Sequence, residues 1–460
     1  MSYNKIKWFK LAGVLFFCCE AIAQSPTDTL IQLKDALQLG EQRYHLLQAH
    51  KYEAEAAAKN VDVIKYSRLP AIDATYQAGF GTSNNLTGIF YPNGVLPITG
   101  PPSLSNNYNP ATGSAASILL NWQAITFGQR NAQINVSIAE ANMQKSAFEQ
   151  ELFRHKINVI SAYLDVLLSY TVVNIHQHNI ERVQANLKQS RVLAKSGIKP
   201  GVDTALFLSE LSKARIDWLN SQKELQIEQW LLAQLIVTNA LPVPTDTSFL
   251  DKLPSSHPIN EASFTDHPVI QYGQGLLELN HSRELLLKKS YLPKLTIWGT
   301  AFARGSGFQV NGTIKTWDGL GLSRYNYGAG LQLSFPIMKY GEIKHQLVQQ
   351  NLLSRSAVEK LLDDKAVLTT QQGIANSTFQ NSLLVATETG EQLKSGQYAF
   401  NAMEVRYNTG LMNFSDLIQA QYNLLKAELD VKKAYWDAWK ALLLDAAVKG
   451  DVNIFLNEIR

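Results

Sequence analysis

Past residue 19 the sequence has no cysteine; its two, Cys18 and Cys19, sit side by side near the start. Around them Lys5, Lys7 and Lys10 precede an apolar run from Leu11 to Cys19, and Ala21-Ile22-Ala23 follows. A positive segment, an apolar segment and an A-x-A site are the parts of a cleavable secretory signal, so residues 1–23 are expected to be removed and the mature chain to begin at Gln24. Phe17 precedes one cysteine and Cys18 the other, and neither is the small residue that lipid anchoring needs there. With both cysteines removed, the mature chain can form no disulfide and no thiolate metal site.

Charge of one sign is also missing. The formal net charge is +3 over 460 residues, too little for the basic field that nucleic acid requires. No run of 18 or more consecutive apolar residues follows the signal, so no transmembrane helix is expected; a β-barrel stays open. A hydrophobic content of 45% with 18% charged residues is that of a folded chain.

Catalytic signatures are absent too. The chain has no nucleophile elbow, P-loop or zinc-protease motif. His176 and His178 are two apart in a helical stretch and so do not share a face. Glu342-Ile-Lys-His345 has the E-x-x-H spacing of di-iron bundles, but such a site needs a second copy and further glutamates. The expectation is therefore no enzyme, no cofactor and no metal. Any energy the protein uses must come from a partner.

What is present is a repeat. Shifted by 213 residues, Ile118-Leu119-Leu120-Asn121-Trp122 falls on Leu331-Gln332-Leu333-Ser334-Phe335, Gly128 on Gly341, Gly197 on Gly410 and Asp203 on Asp416. Arg68-Leu69-Pro70 matches Tyr291-Leu292-Pro293 at 223 instead. The difference falls in two stretches rich in Gly, Pro and Asn, Gly81 to Ser114 and Gly305 to Ser323, which read as surface loops.

After Pro70 the residues alternate. Ile72, Ala74, Tyr76, Ala78 and Phe80 share one face, and Asp73, Thr75, Gln77 and Gly79 the other. Ala116, Ile118, Leu120 and Trp122 form a similar face, as do Tyr327, Ala329, Leu331, Leu333 and Phe335. The strand after Pro293 is mixed, with Thr296, Trp298, Thr300 and Phe302. Segments of about ten residues alternating apolar and polar, with aromatics near their ends, characterise membrane β-barrels. A soluble sandwich face gives the same alternation, and the export signal and long loops favour the membrane. Four strands cannot close around a lumen, and an open edge cannot sit in lipid. The strands must then be shared between copies, and a homotrimer would give twelve.

Between Gln129 and Ser196 there is neither proline nor glycine, and no proline occurs from Glu342 to Gly410. Ile160, Tyr163, Leu167 and Tyr170, and Ile418, Tyr422, Leu425 and Leu429, recur at coiled-coil spacing. The first of these helices would be about 100 Å long. Each half thus reads as a helix into Leu-Pro, two strands, a very long helix, a Gly-to-Asp turn and a returning helix. Glycine just past a helix end and aspartate in a first helical turn are also ordinary caps, so the turn residues by themselves do not separate capping from function.

The doubled turn, the Leu-Pro pairs, and the runs "TFGQRNAQI" and "KYGEIKHQL" after the second strand of each half resemble the TolC-type outer membrane efflux proteins, over essentially the whole mature sequence. That resemblance implies an α+β membrane protein with a two-fold internal repeat. In the homotrimer, four strands per chain form a twelve-stranded β-barrel in outer-membrane lipid, continued by a long periplasmic α-helical coiled-coil tunnel. It implies a passive exit duct that docks on a periplasmic adaptor (membrane fusion) protein and an inner-membrane pump of RND or ABC type, with an iris-like gate at the hairpin tips. Asp416 matches a constricting aspartate of that gate, while the second such position holds Gln419 here. Tyr407 and Asp203 match a closing hydrogen bond. A second closing link, an arginine to a threonine, falls on Met412 and Val202 and cannot form as a polar bond. Gly197, Lys199, Pro200, Gly410, Leu411 and Met412 fall in the adaptor-binding turns.

The expected organisation is an N-terminal periplasmic helix (24–67), a barrel hairpin with a long extracellular loop (68–127), a helical hairpin (128–240), a connector with an equatorial helix (241–290), a second barrel hairpin (291–340), a second helical hairpin (341–450) and a tail (451–460). The competing reading is a structural or adhesive outer-membrane stalk without transport, which has no need of matched glycine turns.

Overall fold

The structure, a computed structural model, describes residues 28–85, 102–255, 263–309 and 311–459. The expected signal segment and most of the loop after the first strand of the larger sheet lie outside them. The chain divides into two compact units. One comprises Asn158–Leu253, Ser382–Lys440 and the chain up to Arg43; the other comprises Tyr44–Ile157, Pro254–Asn381 and Ala441–Arg460.

The second unit holds a four-stranded antiparallel sheet in the order β2 (Ala71–Gly81), β3 (Ala111–Ile125), β5 (Lys294–Ser306) and β6 (Arg324–Ser334). The register pairs Ile72 with Leu120, Leu120 with Gly299 and Gly299 with Ala329, so like faces align across the sheet. One face carries Ile72, Tyr76, Ile118, Trp122, Ile297, Tyr327 and Leu331, and most of these are open to solvent in the single chain. The other carries Asp73, Gln77, Asn121, Thr300 and Asn326, with Thr75 and Ser117 hydrogen bonded across it at 2.7 Å.

The mixed strand resolves in this frame. Leu295, Ile297 and Ala301 lie on the apolar face, and Trp298 on the polar one. Its indole covers the neighbouring strand, where a Cβ on Gly330 would stand 2.7 Å from Cζ2. Only a residue without a side chain leaves that space. Strands β2 and β6 are the edges, with no neighbour on their outer sides among the described residues.

The loop after β5 folds back on β3. Thr112 N–H and Oγ1–H both donate to Thr316 O at 2.7 Å, and Ser114 Oγ–H donates to Gly319 O at 2.7 Å. A Cβ on Gly319 would overlap Thr112 O at 1.7 Å, so the contact requires glycine.

The same unit holds α2 (His45–Tyr66), α5 (Pro268–Ser290), α8 (Asn453–Leu456) and the adjoining parts of α3 (Gln129–Lys195), α6 (Lys339–Asn408) and α7 (Phe414–Lys449). At 67 and 70 residues, α3 and α6 are each about 100 Å long. Helix α6 runs unbroken through Gly373, Gly390 and Gly396, although each costs about 1 kcal/mol against alanine. The matched glycines at the helix starts differ. Gly128 precedes α3 at φ +93°, whereas Gly341 lies inside the first turn of α6.

In the first unit, β1 (Asp28–Ile31) pairs in parallel with β4 (Leu241–Pro244), Asp28 opposite Leu241. Residues 28–67 are a strand and two helices, α1 (Leu33–Arg43) and α2, and not a single helix. Tyr163 anchors the pairing: its hydroxyl is shared between Ile31 O at 3.1 Å and Asp246 Oδ2 at 2.9 Å, and Asp246 also accepts Leu33 N–H at 2.9 Å. Burial, reinforced by Asp246, raises the Tyr163 pKa well above that of a free phenol. Helix α3 is long and apolar enough by composition to cross a membrane. Of its most apolar stretch 33% is buried, including Ile160, Tyr163, Leu164 and Leu167, which are fully covered.

One titratable cap links the second unit to pH. His267, buried, precedes α5; its Nδ1 accepts Val269 N–H at 3.2 Å and its Nε2–H donates to Ala447 O at 3.1 Å. The bond to Val269 needs Nδ1 unprotonated; burial lowers the ring's pKa, partly opposed by the bond to Ala447. A depressed folded pKa means stability that is present above the unfolded value, about 6.5, and lost as pH falls through the folded value. Thermal unfolding between about pH 7.5 and 5 should show the midpoint falling on acidification. In His267→Asn, which retains a capping acceptor, that fall should be smaller; an equal fall would remove His267 from the account.

Candidate functional site

The two tight turns lie together in the first unit. Helix α3 ends at Lys195 and α4 (Gly201–Ile236) starts after Pro200; α6 ends at Asn408 and α7 starts after Asn413. Gly197 and Gly410 take φ of +71° and +81°. Ile198 N–H reaches back to Leu193 O at 3.0 Å, and Leu411 N–H to Arg406 O at 2.9 Å. These are Schellman closures, in which a left-handed glycine lets the chain satisfy a carbonyl of the last turn. Donor, glycine and acceptor all recur at the spacing of 213. The returning helices differ at their start: Asn413 Oδ1 accepts Asp416 N–H at 2.9 Å, while Pro200 offers only its backbone carbonyl, to Asp203 N–H at 3.1 Å.

Behind the turns is a core of Ile180, Val183, Leu187, Phe207, Leu211, Phe400, Tyr407, Leu417 and Leu424. Phe207 stands edge-on to Tyr407 and to Phe414, at 5.8 Å and 4.7 Å between ring centres. At the margin of this core the Tyr407 hydroxyl donates to Asp203 Oδ2 at 3.1 Å, and both residues are buried. Burial pushes the hydroxyl up to about 12; Ser190 opposes the shift and the Asp203 carboxylate adds to it. The phenol therefore keeps its proton and remains the donor.

Lys199 does more than mark a turn. Its ammonium leaves the first turn and donates to Met412 O and, at 3.5 Å, to Gly410 O in the second. It also sits 5.0 Å from the centre of the Tyr407 ring. A cation is favoured there by the free carbonyls at the end of α6. Further along, Arg182 on α3 makes a bidentate pair with Glu428 on α7, at 2.7 and 2.6 Å. Gln421 on α7 joins Asn186 and Asn179 on α3, each at 3.2 Å. The Tyr422 hydroxyl donates to Glu210 and accepts from Lys213 on α4 at 2.6 Å.

Of the residues singled out in the sequence, Tyr407 and Asp203 are joined. Asp416 and Gln419 are exposed on one side of α7, where Gln419 Nε2–H donates to Asn423 at 3.1 Å. Gly197, Pro200, Gly410 and Leu411 are exposed, with Gly410 packed against Ile198. Met412 turns toward the core, and Val202 stays largely open to solvent. The Lys199 bridge, the Arg182–Glu428 pair and the Asn179–Gln421–Asn186 chain were not visible as partners in the sequence. Polar residues at helical spacing were their only trace. Among the described residues no cluster of His, Cys, Asp and Glu is arranged to hold a metal.

Residues 36–237 match the outer membrane efflux protein family. No curated protein matches the chain. Its fold is that of known outer membrane channels. The Campylobacter jejuni CmeC outer membrane channel superposes with a TM-score of 0.73 at 14% identity, over 98% of this chain and 94% of that one. The Vibrio cholerae outer membrane protein VceC gives 0.69 at 12%, over 91% and 96%. The open state of the Neisseria gonorrhoeae MtrE outer membrane channel gives 0.65 at 14%, over 91% and 90%. The resemblance read from the doubled turn is thereby borne out.

Tyr407→Phe leaves the buried Asp203 carboxylate without its donor, at a cost of about 1–3 kcal/mol. Amide exchange across residues 193–200 and 407–413 should speed up in that variant, and in Lys199→Met more weakly. Unchanged exchange in both would mean that packing alone holds the turns together.

Proposed function

We propose that the protein is the outer-membrane exit duct of a tripartite efflux or secretion system, a passive channel gated at the paired turns. One observation carries the reading: an open sheet with a continuous apolar face and two unpaired edges, built in the same chain as very long helices that return at matched glycine turns. An edge in hydrocarbon leaves backbone groups unsatisfied at several kcal/mol each. Three copies joined edge to edge, β6 of one to β2 of the next, close twelve strands and remove every edge. The apolar face then meets outer-membrane lipid and the polar face lines a water-filled lumen. The helices form the periplasmic tunnel.

At the turns, Asp416 supplies one carboxylate per chain and hence a ring of three in the trimer. Gln419 replaces what would be a second ring with neutral amides, so the electrostatic constriction is single. Tyr407 and Asp203 hold the second hairpin against the first. Lys199 supplies the additional clasp in place of the arginine–threonine link that Met412 and Val202 cannot make. The exposed Gly197, Pro200, Gly410 and Leu411 are the surface offered to a periplasmic adaptor, and an inner-membrane pump supplies the energy. Opening then requires an adaptor to offset the Tyr407, Lys199 and Arg182 contacts of each chain.

The test is planar-bilayer conductance of the purified protein. Wild type should show a small, cation-preferring conductance. Asp416→Ala should lose part of that preference, and Tyr407→Phe should raise the conductance several-fold. A protein that forms trimers but never conducts would instead be a stalk. Gly410→Trp should block efflux in cells while leaving trimers intact; loss of trimers would make the turn a folding element alone.

A further inference from the structure

The polar face of the sheet bears an unusual pair. Arg304 of β5 and Arg324 of β6 lie directly opposite one another in the ladder. Directly opposed residues share a face with Cβ atoms about 4.5–5.5 Å apart, and like charges so placed are destabilising. Their face is that of Thr296, Thr300 and Asn326, the face turned away from the apolar one. Both side chains are exposed. Among the described residues Arg324 makes one long contact, Nη1 to Ser323 O at 3.4 Å.

Nothing nearby in the sequence neutralises them. No charged residue occurs between Asp73 and Arg130. In the connection from β5 to β6 the only charges are Lys315 and Asp318, and these pair with each other at 3.6 Å. The nearest carboxylate on the polar face, Asp73, lies opposite Leu119, which is level with Thr300, four residues along β5 from Arg304. The loop end of the polar face therefore carries uncompensated positive charge, at a cost to the sheet.

We infer that this pair forms an anion-binding ring at the outer mouth of the lumen, taking multiply charged phosphate-like or carboxylate groups that reach it through water. The inference rests on the trimeric duct proposed above, in which two arginines from each of three chains surround the opening. Guanidinium groups suit such ligands because their paired N–H donors match two oxygens of one anionic group. The lipid is excluded as the source because its headgroups meet the opposite, apolar face. The ring is opposite in sign to the Asp416 carboxylates at the turns, so the two ends of the path would select differently.

The experiment uses the full-length mature protein in neutral-lipid planar bilayers, with inorganic tripolyphosphate added to one side and then to the other. Tripolyphosphate should block wild-type current more strongly from one side than the other. Arg304→Gln/Arg324→Gln should conduct but lose that block by at least about tenfold in affinity, and Arg304→Lys/Arg324→Lys should retain part of it. Reversal potentials in a potassium chloride gradient should shift toward cations in the glutamine variant. Equal block and equal reversal potential in wild type and glutamine variant would overturn the ring while leaving the duct. A wild-type trimer without conductance would overturn the duct itself, and the ring with it.

Discussion

Strands β2 and β6 each present a row of backbone N–H and C=O groups that has no strand partner among the described residues. In water such edges would be a liability for aggregation. In hydrocarbon they are untenable. The rest of the architecture is consistent with this one constraint. The register aligns Ile72, Ile118, Ile297 and Leu331 on one face so that a closed ring of strands would meet lipid evenly. Trp298 is accommodated on the other face by Gly330. The helices that leave this sheet expose apolar residues such as Leu352, Leu362 and Ile374. A single copy leaves them uncovered, in keeping with the proposed trimer.

At the turns, capping and the proposed gating use the same atoms. The Schellman glycines close each helix whether or not anything opens there. What goes beyond capping is the set of contacts between the two hairpins: Tyr407 to Asp203, Lys199 to the carbonyls of the other turn, and Arg182 to Glu428. These join residues more than 200 apart in sequence, and none is needed to end a helix. They are mostly polar, and half-buried or buried, so breaking them leaves groups that water can partly satisfy. Such contacts suit an element that must release under a partner's load, whereas the Phe207, Leu417 and Leu424 packing behind them suits a hinge that stays intact.

The repeat was legible because turn chemistry is local. A left-handed glycine and a capped first turn are written within a few residues, so the spacing of 213 could be read directly. The strands of the four-stranded sheet were legible where alternation was clean. Strand β5 was not, because the polar-face position of Trp298 depends on a glycine in the next strand. Strands β1 and β4 are only four residues long, and β4 contains Pro242 and Pro244, so no periodicity announced them. Lys199 read only as part of a turn, because the carbonyls it serves belong to a segment 211 residues away in the chain.

By itself, then, the sequence determined the repeat, the paired glycine turns, the two very long helices and three of the four two-faced strands, all of which follow from backbone conformation and side-chain period over short distances. Tertiary structure decided which polar residues meet: Tyr407 with Asp203, Lys199 with Met412, Arg182 with Glu428, Arg304 beside Arg324. Those pairings depend on how distant helices and strands are brought into register, and a local pattern of polar residues is equally satisfied by water.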